Sequence, residues 1–189
     1  LLLGLAGRTG EAERVAAADL LGQPAGPIRG EEADVVRQLG NAVHAAFLVT
    51  YAQGFALLKR ASDAYEFGLD LGDVARIWRG GCIIRAAMLE TFREAFAAEG
   101  DLANLLVAPA VAEELNGHQE DIRDVTAAAV RAGLPVPAIG ASLAYLDAYR
   151  SAWLPANLVA AQRDYFGAHT FTRIDQEGAH HAQWEPAGL

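Results

Sequence analysis

The run "EEADVVRQLGNAVHAAFLVTYAQGFALLKRASDAYEF", Glu31 to Phe67, decides the fold class. Its bulkier apolar side chains fall at Val35, Leu39, Val43, Phe47, Tyr51, Phe55, Leu58 and Tyr65, in steps of three, four or seven. That is the period of one face of an α-helix, not the alternation of a strand. Unbroken, such a helix would be roughly 55 Å long at 1.5 Å per residue, enough to cross a whole domain or to support a dimer. Gly40 and Gly54 inside it each cost about 1 kcal/mol against alanine, which predicts another helix approaching closely there.

Outward from this run the punctuation repeats. On the N-terminal side, "GQPAGPIRG" (Gly22 to Gly30) breaks any helix and separates off a short helical piece, Glu11 to Leu21. On the C-terminal side, "FGLDLGD" (Phe67 to Asp73) stops the long helix at Gly68 and offers Asp70 as the N-cap of a short helix ending at "RGG". Further helices are predicted over Cys82 to Gly100, Pro109 to Gly133, Ala138 to Trp153 and Pro155 to Gly167, with proline at first turns and glycine at stops. No alternating strand pattern of useful length interrupts them. The expected fold is all-α, a multi-helix domain over residues 1–167 with a long central helix. Residues 168–189 read instead as an extended tail, because Thr170, Phe171, Thr172 and Ile174 are β-branched or aromatic and Gly178 and Pro186 follow. Phe171, Ile174 and Trp184 are apolar enough to need burial, so the tail is expected to dock.

At 189 residues, 52% hydrophobic and 21% charged, the chain has the composition of one globular domain. Its net charge of −9 argues against nucleic acid or an anionic membrane as partner. Any anionic ligand must meet a local basic cluster. Cys82, alone, has no partner for an internal disulfide and suits a buried position in a reducing, cytoplasmic setting. The opening "LLLGLAGRTGE" is shorter than a membrane span, lacks a basic leader and lacks an initiator methionine, and it reads as the edge of a longer chain.

The sequence holds no dinucleotide fingerprint, no phosphate-cradling lysine loop and no nucleophile elbow; "GASLA" (Gly140 to Ala144) ends in alanine where the elbow needs glycine. His169, His180 and His181 have no metal-ligand spacing, so no metal site is expected. Two basic positions carry more. Arg85 is placed one turn into a helix after Gly80 and Gly81, where free N–H groups and the helix dipole favour an anion; the plainer reading is a solvated arginine or an ion pair with Glu90. Arg163 falls in the last turn of the final helix and His169 just past its glycine stop, among Tyr165 and Phe166. Their plainer roles are a helix C-terminal charge and a cap.

Four strings in order, "YAQGF" (Tyr51 to Phe55), "IWRGGCIIR" (Ile77 to Arg85), "LPANLVAAQRDYFGAHT" (Leu154 to Thr170) and "EGAHHAQW" (Glu177 to Trp184), resemble the C-terminal helical domain of 6-phosphogluconate dehydrogenase, from about Glu31 to Trp184. "VHAAF" (Val43 to Phe47) departs from the usual "LYASK" of that family, and His180 from its usual aromatic or aliphatic residue.

The resemblance implies an NADP-dependent oxidative decarboxylation of 6-phosphogluconate to ribulose 5-phosphate in the pentose phosphate pathway. It implies that NADP is held mainly by an N-terminal Rossmann domain absent from this chain, and that the catalytic lysine and glutamate lie upstream of Leu1. It further implies a homodimer whose C-terminal tail is exchanged into the partner subunit. By the same carry-over, Arg85 would hold the substrate phosphate, and Arg163 and His169 would reach substrate from the partner side. Two other readings keep the fold: the helical domain of a related hydroxyacid dehydrogenase, and a non-catalytic helical dimerisation module.

Overall fold

The computed structural model describes residues 10–23 and 26–184; the opening apolar run, Pro24 and Pro186 lie outside them. The described residues are mostly helical: α1 (Glu11–Leu21), α2 (Glu32–Tyr65), α3 (Leu71–Gly81), α4 (Leu89–Ala98), a 3₁₀ turn (Leu105–Val107), α5 (Pro109–Arg131), α6 (Pro137–Tyr149) and α7 (Asn157–Gly167). Two two-residue strands, β1 (Phe171–Thr172) and β2 (Ala179–His180), form an antiparallel pair in which Phe171 faces His180. The chain divides into two compact units, Leu1–Leu146 and Asp147–Leu189.

In the first unit α2 is the spine. Its 34 residues extend about 51 Å, and it makes its most extensive contact with α5. The helix is apolar and long enough to cross a membrane by composition alone, yet it forms the centre of a protein core. The buried face consists of Ala42, Ala45, Leu48, Val49, Ala52 and Phe55. This is not the stripe that the bulky residues traced: Phe55 belongs to both, while Leu39, Val43 and Phe47 stand exposed. Alanines occupy the contact because a small side chain lets two helix axes approach, so the closest packing lies where the sequence is least bulky. Gly40 and Gly54 are a second departure. A Cβ at either would meet open space, so no close approach among the described residues explains them.

Two polar ties set how α2 lies along α5. Asn41 Nδ2 donates to Asp121 Oδ2 at 2.7 Å, and His44 Nε2 lies 2.7 Å from Glu114 Oε1. The expected cap is present: the Asp70 carboxylate accepts the Asp73 N–H at 2.9 Å and starts α3. Buried Asn104 accepts the Leu106 N–H at 2.9 Å, closing the 3₁₀ turn, and donates to the Tyr145 hydroxyl at 3.0 Å. These partners satisfy polar groups that would otherwise be costly to bury.

Candidate functional site

The turn carrying Arg85 differs from its sequence reading. The predicted helix from Cys82 begins only at Leu89, and residues 82–88 form turns between α3 and α4. Tyr51 on α2 reaches this turn, its phenol donating to the Ile84 carbonyl. That bond ties residue 84 to the middle of α2, while residues 82–88 stay in turns. Tyr51 is wedged against Trp78 and Phe92, with ring centroids 6.4 and 5.6 Å away. Burial, and then the nearby Cys82, push its pKa above the ordinary tyrosine value, so it stays a donor.

Arg85 therefore does not sit in a helix start, and the helix-dipole argument for it falls. Nor does it pair with Glu90, which is engaged by Arg93 at 2.9 Å. The Arg85 side chain is exposed and has no hydrogen-bond or ion-pair partner among the described residues. It stands at the rim of a cavity of about 420 Å³ walled by Phe47, Tyr51, Trp78 and Ile83, and it is the one charged residue among the described lining. An anion reaching this rim would meet an uncommitted guanidinium, whose planar fork suits a phosphate.

Arg163 and His169 belong to the second unit, where a residue the sequence reading passed over organises everything. Asp164 in α7 has 0% exposure. Its Oδ1 accepts the Thr170 N–H at 3.1 Å and faces His181 Nδ1 at 2.8 Å. Its Oδ2 accepts the Ala182 N–H at 2.9 Å and the Trp184 indole N–H at 3.0 Å. Burial alone would raise this carboxyl, but the bonds from His181, Ala182 and Trp184 outweigh it and hold the pKa at about 2. The tail is thus anchored on its own α7 and turned back as a small hairpin. Trp184 also packs edge-on against Tyr165, centroids 5.6 Å apart.

The side chains of Arg163 and His169 are both exposed, without a hydrogen-bond partner among the described residues. His169 lies between two non-glycine residues in the left-handed region, Ala168 (φ 49°) and Thr170 (φ 60°). Tyr51 falls in the apolar period of α2 and Asp164 in the string Leu154 to Thr170, but no local pattern shows their bonds, because their partners lie 33 and 6–20 positions away.

Among the described residues there is no group of three histidine, cysteine or acidic side chains placed to hold a metal. No strand of the described residues exceeds two residues, so the strand, glycine loop and helix that seat a dinucleotide are not formed by them. The residues present do not fit a nicotinamide dinucleotide.

The family model for "6-phosphogluconate dehydrogenase, C-terminal domain" matches residues 8–184. The chain is 47% identical over 174 residues to the decarboxylating 6-phosphogluconate dehydrogenase of Salmonella typhimurium, covering 92% of this chain and 37% of that protein. It is 47% identical over 175 residues to the enzyme of the same name from Synechococcus elongatus, with the same coverage. Among solved structures, Plasmodium falciparum 6-phosphogluconate dehydrogenase superposes with a TM-score of 0.82 at 36% identity, covering 92% of this chain and 38% of that one. That protein is described with its cofactor NADP+ and with its substrate 6-phosphogluconate. The chain spans under two fifths of the length of these relatives.

Proposed function

The chain belongs to the 6-phosphogluconate dehydrogenase family, by its C-terminal domain, and from that premise we propose that it is the substrate-binding and dimerisation part of a decarboxylating 6-phosphogluconate dehydrogenase. The full protein would oxidise 6-phosphogluconate with NADP and release carbon dioxide in the pentose phosphate pathway, in the cytoplasm. The cofactor and the catalytic acid and base are assigned to the part of the protein outside this chain.

Within this chain, Arg85 is the residue proposed to hold the substrate phosphate. The observation that carries this is an unpaired arginine held at the rim of a cavity by the bond from Tyr51 to Ile84, in a protein whose net charge is −9. Arg163 and His169 are assigned to the same substrate from the second unit of the partner subunit in a homodimer with exchanged tails. Two arginines forking onto one dianion fix orientation as well as affinity, and binding energy at the remote phosphate positions the reacting carbon elsewhere.

The test is the KM for 6-phosphogluconate of the full-length protein with Arg85→Ala and with Arg163→Ala. Loss of a charge-assisted bond of about 1.5–3 kcal/mol raises KM roughly tenfold to a hundredfold in each. Wild-type KM in both variants removes the site assignment.

A further inference from the structure

Asp164 is used twice around His169, and the two uses bracket it. Its backbone carbonyl accepts the Ala168 N–H at 2.9 Å, and its carboxylate accepts the Thr170 N–H at 3.1 Å. The residues so held are two of the three non-glycine residues that occupy left-handed backbone among the described residues, Glu66 being the third. L-residues leave that region unless surrounding contacts over-determine it, and strain kept in this way gathers where a side chain must be aimed. The other three bonds to Asp164 come from His181, Ala182 and Trp184, so the clamp on Thr170 is itself held by the returning end of the hairpin.

Gly167 completes the cradle from the other side. The imidazole of His169 lies back over the end of α7, and a Cβ on Gly167 would come within 2.8 Å of its Nε2 and 2.9 Å of its Cδ2. Gly167 is helical and its φ is not positive, so alanine there is compatible with the backbone. What must yield is the imidazole, the far end of a flexible side chain. The glycine thus makes room for one ring orientation.

We infer that Asp164 and Gly167 are positioning residues for His169: Asp164 fixes the backbone on both sides of it, and Gly167 admits its imidazole against the end of α7. The inference deepens the proposed substrate site, and its functional side rests on His169 touching substrate. Neither Asp164 nor Gly167 need contact substrate. A merely structural role for both predicts that activity follows stability, whereas positioning separates the two.

The experiment uses the full-length protein with Gly167→Ala, Asp164→Asn and His169→Ala, reading KM and kcat for 6-phosphogluconate, the thermal midpoint, and the His169 imidazole resonances, identified by their loss in His169→Ala. Gly167→Ala is expected to keep the thermal midpoint, shift the imidazole resonances and raise KM about tenfold with a smaller change in kcat. Asp164→Asn is expected to do the same with a lowered midpoint, since its amide presents a donor to N–H groups that need an acceptor. Imidazole resonances at their wild-type positions in Gly167→Ala overturn the inference. If His169→Ala raises KM while Gly167→Ala and Asp164→Asn leave it unchanged, positioning fails and the substrate assignment of His169 stands. If His169→Ala leaves KM unchanged, that assignment falls, and the resonances alone decide whether the cradle aims the ring.

Discussion

The phenol of Tyr51, in the middle of the long helix α2, donates to the carbonyl of Ile84, the residue before Arg85. That bond ties the turn of residues 82–88 to α2, and Arg85 on it lines the cavity. Tyr51→Phe removes the donor and keeps the ring packed between Trp78 and Phe92. The bond contributes about 0.5–1.5 kcal/mol, so KM for 6-phosphogluconate in the full-length protein should rise roughly two- to tenfold. The aromatic packing remains, so the thermal midpoint should fall by only a few degrees. An unchanged KM would mean that the turn aims Arg85 without help from Tyr51.

Phe55, also on α2, is the ring on which the first unit closes. It is almost fully buried, with centroids of Trp78, Phe96 and Phe92 at 4.9, 5.2 and 6.0 Å. Truncation loses the transfer energy of the ring and leaves a cavity that three rigid neighbours fill poorly. Phe55→Ala should cost about 3–5 kcal/mol, measured by urea unfolding followed through tryptophan fluorescence. A cost under about 1 kcal/mol would mean that this cluster relaxes far more than close packing permits.

The helices themselves were legible, because glycine, proline and Asp70 punctuate them and an uncommitted apolar period fills them. The buried face of α2 was not. Bulk pointed to Val43 and Phe47, but helix contact is made where alanine lets backbones approach, and Phe47 is left 54% exposed beside the cavity. The start of α4 is not legible for a different reason: the turn before it is tied, through the Ile84 carbonyl, to a side chain 33 residues upstream, beyond the reach of any local pattern. Position in the expected helices already singles out Arg85, Arg163 and His169, but their substrate roles come from the long matching strings alone. Asp164 was invisible because a buried aspartate is defined by its donors, and these come from residues 170 to 184.

The same carboxylate makes the tail sensitive to acid. Its folded pKa, about 2, lies below the ordinary aspartate value of 3.8. A depressed carboxyl stabilises the fold above the unfolded pKa, and that contribution is lost as pH falls through the folded one. The hairpin should therefore hold above roughly pH 4 and open progressively toward pH 2. The Trp184 indole N–H resonance reports this directly, since its acceptor is Asp164 Oδ2 at 3.0 Å. In Asp164→Asn the shifted indole signal should be absent at every pH. A wild-type signal that disappears already near neutral pH would mean that another group controls the clasp.

Exchange of the tail between subunits can be tested without touching this clasp. Ile174 is 83% exposed and Phe166 76% exposed within a single chain, on either side of Thr170, whose N–H Asp164 holds. Apolar side chains so displayed are the ones a partner would cover. Deleting residues 170–189 would be ambiguous, because it also strips Asp164 of Thr170, His181, Ala182 and Trp184. Ile174→Glu leaves all four bonds in place. If Ile174 is buried on the partner, losing that contact is worth about 1.5–3 kcal/mol before the cost of the new charge. The dimer dissociation constant from sedimentation should then rise at least about tenfold, with the Trp184 indole resonance unmoved. Dissociation constants equal to wild type in both Ile174→Glu and Phe166→Glu would sink the exchanged-tail reading and leave the hairpin as a feature of its own subunit.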